Sequence, residues 1–271
     1  MVEVVVSARL YRRLVGARIR SDFTYRASFF LRVLSAALVT ASAYVAIAAL
    51  ISKVGTLGGW GRWPITFLYG MSSSAFRFAD AFIGGSIERC SEQVRTGKFD
   101  KFLTRPVNVL VSVLGEDFAF RRVGQFIAVV PFAVVALSHL PIHWTLGRVL
   151  FIPFMFVGAV GTFSAIFVVS GCLAFWSPNT TEIANAFTYG GATVAEYPVH
   201  IMTNWVRVLA VSVVPVGFTV YLPSFVLFDA PNPLGVPLWV SLISPLAAIP
   251  FGLLARTVWR YALRHYRSTG S

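Results

Sequence analysis

The sequence has 271 residues, of which 56% are hydrophobic and 13% charged, with a formal net charge of +12. Soluble domains hold roughly 45–50% apolar and about 25% charged residues, so this balance excludes an ordinary soluble fold and points to an integral membrane protein. The positive charge falls in blocks between long apolar runs, with no basic and aromatic module left over; this excludes a nucleic-acid-binding protein and matches the basic cytoplasmic loops of membrane proteins.

In residues 3–24, apolar positions recur at Val4, Ala8, Tyr11, Val15 and Ile19, while Arg9, Arg12, Arg13 and Arg20 take other faces. That spacing predicts an amphipathic helix lying on the cytoplasmic membrane surface, with a solvated basic tail as the plainer alternative. The segment has too many charges before the first apolar run for a cleavable signal.

A first span is predicted from Ala27 to Ile51, followed by a connection rich in Gly and Trp, "SKVGTLGGWGRWP". The second runs from Pro64 to Ile87 and carries Arg77 and Asp80, which are three apart and share a helical face. Ionisable groups at such depth face a cavity or a partner helix, so both are candidates for a substrate pathway, and a structural ion pair is the competing reading. Residues 88–117 form a charged loop that contains "EQVRTGKFDKFLTRPV". Gly97 suits a helix stop and Pro106 a second one. Between them Phe99, Phe102 and Leu103 are spaced i, i+3, i+4, so a short amphipathic helix with an aromatic face is expected to project toward a groove on a cytoplasmic partner.

Further spans are predicted over Phe118–Leu140 and Arg148–Trp176, separated by "SHLPIHWTLG". His139 and His143 there flank Pro141 with no acidic neighbour, so they read as loop residues and no metal site is expected. Residues 177–198, "SPNTTEIANAFTYGGATVAEYP", are too polar to face lipid, and Asn185, Thr188, Tyr189, Thr193 and Glu196 are candidates for lining a pathway or for a subunit contact. The apolar stretch at 202–228 is interrupted by Pro215 and Pro223, and a last span covers Leu238–Tyr261.

Both termini are basic, which asks for an even number of crossings. Either residues 180–198 form the fifth span and 202–228 a re-entrant pair of half-helices, or the polar segment stays outside and residues 203–227 span; the first arrangement is favoured because broken backbone is tolerated where protein covers it. The expected fold is therefore an all-α integral membrane protein: six transmembrane helices in a single transmembrane domain over residues 1–271, an N-terminal interfacial helix, a cytoplasmic helix between spans 2 and 3, and re-entrant half-helices between spans 5 and 6. Cys90 and Cys172 show no metal-ligand spacing, and no phosphate-binding Gly-rich loop ending in Gly-Lys-Ser/Thr occurs.

At this point the residues resemble a known family. "TGKFDKFLTRPV" after a glutamate-bearing stretch, "EYPVHIMTNWVRVLAVSVVPVGFTVYLPS", and the terminal "RYALRHYRSTGS" look like the corresponding segments of type-2 ABC export permeases, in a bacterial branch long grouped only as ABC-2-like membrane proteins. The chain departs from many relatives at Lys98-Phe99. The resemblance implies a single permease domain in the bacterial cytoplasmic membrane, both termini inside, moving a hydrophobic or amphipathic solute (drug, organic cation or lipid-like) outward. It implies two separate ABC ATPase subunits that carry ATP and magnesium, no cofactor on this chain, and a second permease, either a divergent paralogue or another copy. The family's coupling helix maps onto Arg95, Gly97, Lys98, Phe99, Asp100, Lys101, Phe102 and Leu103. Two competing readings are an intramembrane lipid-modifying enzyme, which would need acids and histidines converging at one depth, and a non-transporting assembly or sensor subunit.

Overall fold

The computed structural model describes residues 26–104, 108–115, 120–177, 181–210 and 215–266. Among these residues the regular elements are helical, apart from an isolated bridge between Leu57 and Trp60. The expected surface helix at 3–24 and the Pro106 stop lie outside the described residues.

Helix α1 covers Arg26–Val54. Helix α2, Arg62–Ala79, runs through a π-helical turn at Asp80–Gly84 into α3, Gly85–Arg95, as one rod of about 50 Å at about 1.5 Å per residue. Two short helices follow, α4 at Asp100–Leu103 and α5 at Val109–Leu114, the second capped by the Asn108 side chain, which accepts from Leu110 N–H at 3.0 Å. Then come α6, Phe120–His139, and α7, Leu146–Cys172, which tightens into a 3-10 turn at Leu173–Phe175. Helix α8 is Thr181–Ala195, followed by the short α9 at Asn204–Val208 and α10 at Tyr221–Phe228. Helix α11, Leu238–Ile243, passes through a 3-10 turn at Ser244–Ala247 into α12, Ala248–His265.

Among the described residues, four helical stretches are long and apolar enough to cross a membrane: Val33–Val54, Arg122–His139, Leu146–Phe175 and Leu238–His265. The other two expected spans fall short for different physical reasons. The α2 rod has the length, but its run through Tyr69, Gly70 and Ser72 to Ser74 is too polar. It tolerates that polarity because residues 65–76 are buried among the other helices. Helix α8 has 15 residues, about 22 Å, which is less than a hydrocarbon layer of about 30 Å. The interruption expected at Pro223 does not occur: that residue sits in the first turn of α10, where its missing N–H is not required.

The core divides into two clusters. One surrounds the α2 half of the rod with Phe67, Tyr69, Phe76, Phe163 and Tyr221; the other gathers Ile87, Val94, Phe99, Phe102, Cys172 and Trp259 at the basic end. Helix α2 packs along α6 at very close range, since a Cβ on Gly70 would lie 2.4 Å from the backbone nitrogen of Ala133. Close backbone approach through small residues is how helices gain van der Waals contact where the solvent is itself apolar.

Candidate functional site

The polar groups inside this bundle collect at three levels. The first lies at the π turn. A single extra residue per turn there leaves the Asp80 carbonyl accepting from Gly85 N–H and, at 3.3 Å, from Arg122 Nη1 of α6. The same Nη1 is bonded to Asp80 Oδ1, while Arg122 Nη2 donates to Glu88 Oε2 at 2.5 Å. Tyr189 of α8 closes the cluster by donating to Glu88 Oε1 at 2.7 Å. The Asp80 side chain is 2% exposed and that of Arg122 13%. A buried carboxylate is tolerated at such a site because a guanidinium fork meets it. Gly84 is required beside it, for a Cβ there would stand 2.3 Å from Asp80 Oδ1.

The pairing differs from the one expected from sequence spacing. The ion pair on Asp80 comes from Arg122, 42 residues along the chain, and Arg77 lies over the Phe76 ring with its guanidinium carbon 5.5 Å from the centroid. Glu88 falls in the loop expected at 88–117 and Arg122 in the span expected at Phe118–Leu140. Their pairing was invisible because it depends on how α6 lies against the rod.

At the second level Glu196, just past the end of α8, accepts from the Ser73 hydroxyl, and Ser72 donates to the Ala195 carbonyl at 2.9 Å. The buried hydroxyl of Ser74, next to them, has no hydrogen-bond partner among the described residues. Among the other candidates on α8, Thr188 and Thr193 turn their hydroxyls back onto the Ala184 and Tyr189 carbonyls, at 2.8 and 3.1 Å. Asn185 is exposed and borders a small cavity. Thus Tyr189 and Glu196 reach the rod, Asn185 borders open space, and the two threonines satisfy their own helix.

The third level is the end away from the basic loops. His200 Nε2 lies 2.8 Å from the Gly58 carbonyl and Nδ1 lies 2.7 Å from the Tyr221 hydroxyl. Because a carbonyl only accepts, Nε2 carries the proton and Nδ1 receives the tyrosine O–H in the neutral ring. Trp60 stacks on Tyr221 with ring centroids 5.6 Å apart, so the α1–α2 connection is tied to the segment before α9 and to α10. Arg148 adds an ion pair with Asp229. Sequence reading had singled out neither His200 nor Arg148, because their partners Gly58, Tyr221 and Asp229 lie far from them along the chain.

The segment after α3 has the stop expected of it. Gly97 adopts φ +71°, its N–H meets the Val94 carbonyl at 3.3 Å, and Lys98 N–H meets Gln93 at 2.9 Å, the paired bonds of a Schellman ending. The aromatic face, however, points the other way from the one expected. Phe99 and Phe102 are fully buried in this chain's own core, where Phe99 packs against Phe175 at 5.2 Å and Tyr266 at 5.0 Å between ring centroids. The outward surface is made by Arg95, Lys98, Lys101 and Leu103, with Asp100 half-buried. The physical reason is that two phenyl rings bury more apolar area under α7 and α12 than an isolated four-residue helix could keep covered. Arg95 is held by Glu92, whose hydrogen bond from Arg95 draws its carboxyl below the ordinary range.

Among the described residues no group of three or more His, Cys, Asp or Glu is placed to hold a metal ion. A family model described as "ABC-2 family transporter protein" matches residues 37–270. No curated protein and no solved structure gives a significant match.

Proposed function

This chain belongs to the ABC-2 transporter family, and on that premise we propose that it is the permease subunit of an ATP-driven exporter in a bacterial cytoplasmic membrane. The family and the apolar helices make it a multi-pass, all-α membrane protein. In the finer reading, the α2–α3 rod supplies the second crossing and α8 with its following turn the fifth. The stretch at 202–228 re-enters from the outer side, and both termini lie inside.

The observation that carries this reading is the segment from Arg95 to Leu103. A turn with its aromatic residues locked under α7 and α12 and its basic residues outward is rigidly joined to the bundle and free to be gripped from outside. Those are the requirements of a lever. ATP and magnesium belong to a separate pair of ATPase subunits; closure of that pair on nucleotide moves the turn, and differential affinity for nucleotide shifts the bundle between facings. A second permease completes the pathway. Along it, Arg77, Asn185 and Glu196 are the polar groups offered to an amphipathic or hydrophobic solute, while Asp80 and Tyr189 hold the helices in register.

The test is co-purification with the ATPase and measurement of ATP turnover in lipid. Replacing Lys98 and Lys101 by glutamate is expected to lower ATPase association at least tenfold while leaving thermal stability unchanged. Unimpaired association would sink the assignment of this turn.

A further inference from the structure

The outward side of α12 changes character along its length. Its first half exposes Ile249, Leu253 and Leu254, and its second half Arg256, Arg260 and Arg264. A spacing of four residues sets the arginines in one slanting row, about 6 Å apart along the helix axis. No Asp or Glu follows Asp229 in the sequence, and none of the three guanidiniums forms an ion pair with another described residue. Tyr261 stands beside the row, stacked on Trp176 with ring centroids 6.0 Å apart, and both rings are exposed.

Toward the middle of the bundle the same seam between α7 and α12 opens into a cleft of about 240 Å³, walled by Ile166, Val169, Leu173, Phe187, Phe251 and Leu254. The hydroxyl of Ser170 in its wall donates to the Phe167 carbonyl at 2.9 Å, so the cleft offers a ligand hydrocarbon. Phe187 and Leu254 are half-exposed and open it toward the outside of the bundle. From Leu254 to Arg264 the helix rises about 15 Å, a distance that one long alkyl chain and its headgroup span together. The seam thus presents, in order, an apolar slot, a pair of amphipathic rings and a row of guanidiniums.

That is the order of a phospholipid: acyl chain, ester region, phosphate. Trp and Tyr favour the headgroup level of a bilayer, and a guanidinium fork matches a pair of phosphate oxygens. A zwitterionic headgroup would bring its own cation into a row with no acid to receive it, whereas an anionic one neutralises the row. A free phosphate would leave the cleft unused, and a soluble acidic partner could not follow the row to Arg256, which adjoins the exposed Leu253 and Leu254. We propose that the α7–α12 seam binds one anionic phospholipid as a resident ligand, with an acyl chain in the cleft, its ester region against Trp176 and Tyr261, and its phosphate on Arg260 and Arg264. The inference goes beyond the permease reading and does not depend on it. Phe175, next to Trp176, and Tyr266, two residues past Arg264, are the rings that hold Phe99, at 5.2 and 5.0 Å, so the lipid braces the support of the turn that follows α3.

The experiment uses the whole chain in a neutral detergent, without ATPase. The probes are dioleoyl phosphatidylglycerol and dioleoyl phosphatidylcholine, and native mass spectrometry counts the bound lipid. Phosphatidylglycerol is expected to bind one per chain, about tenfold tighter than phosphatidylcholine. Arg260→Gln with Arg264→Gln should bring the two lipids to near parity, and Leu254→Trp, which fills the cleft, should weaken both. Lys98→Gln with Lys101→Gln removes the same charge from the same end of the molecule and should leave the preference intact. An equal loss in that control would mean attraction by diffuse charge and would overturn the site, as would equal binding of the two lipids by the unaltered chain or indifference to Leu254→Trp. Inorganic phosphate at millimolar concentration should not displace phosphatidylglycerol; displacement would mean that the guanidiniums take phosphate without the cleft, and would overturn the lipid assignment. If the double arginine variant does not yield folded protein, Arg264→Gln alone is expected to lower phosphatidylglycerol affinity about threefold with phosphatidylcholine unchanged.

Discussion

Arg122 holds two acids at once, and its replacement is the sharpest residue-scale test of the bundle. Arg122→Ala leaves Asp80 buried without its guanidinium, and breaking a buried pair costs about 3–5 kcal/mol, so a large fall in thermal stability in detergent is expected. Adding Asp80→Asn to that variant should recover part of the loss, because a neutral amide is less costly to bury than a carboxylate that has lost its guanidinium. Additive effects in this double-mutant cycle would mean that the pair carries no coupling. Arg122→Lys should recover less than the wild-type level, since an ammonium cannot offer a planar fork to two carboxylates. Gly97 gives a second test at this scale: an alanine at φ +71° costs about 1–2 kcal/mol, and Gly97→Asn, which tolerates the left-handed region, should restore much of that in a thermal scan. Gly97 was legible from the sequence because its role is local. The partner of Asp80 was not, because a carboxylate selects among all cations the fold brings near.

At the scale of elements, the turn from Thr96 to Leu103 separates two functions that its spacing had merged. Phe99 and Phe102 hold the turn to α7 and α12, and Lys98, Lys101 and Leu103 form its outer face. Phe99→Ala is therefore expected to lose about 3–5 kcal/mol by opening a cavity among Phe175, Tyr266 and Phe102, read as a lowered melting temperature even with no ATPase present. Leu103→Asp should leave the melting temperature unchanged and weaken ATPase association. If the two variants exchanged these outcomes, the inward orientation of the aromatic pair would be wrong. Helix periodicity placed Phe99, Phe102 and Leu103 on one side, but a four-residue helix following a Schellman turn lets Leu103 swing out while the rings go in. The rod of α2 and α3 shows the same limit. Its serines and glycine weaken any hydropathy signal, yet burial against α6 makes that composition suitable.

For the whole molecule, the proposed six crossings join the four apolar helices to the polar rod and the short α8. Single cysteines introduced at Lys98 and Arg264 should react with an impermeant maleimide from one side of sealed vesicles, and cysteines at Trp144 and Asn232 from the other. Labelling of Lys98→Cys and Trp144→Cys from the same side would rule out the six-crossing reading. The sequence alone determined that the chain is an all-helical membrane protein, where its main apolar helices run and where α3 stops. Those properties depend on composition, on pattern along one segment and on the backbone preference of a glycine, and each is decided within a few turns of chain. Tertiary structure alone decided that Asp80 and Glu88 share Arg122, that Tyr189 reaches across from α8, and that the aromatic pair of the turn faces inward. These depend on which neighbours exclude lipid and water from a given face, a property of several helices together that no single segment encodes.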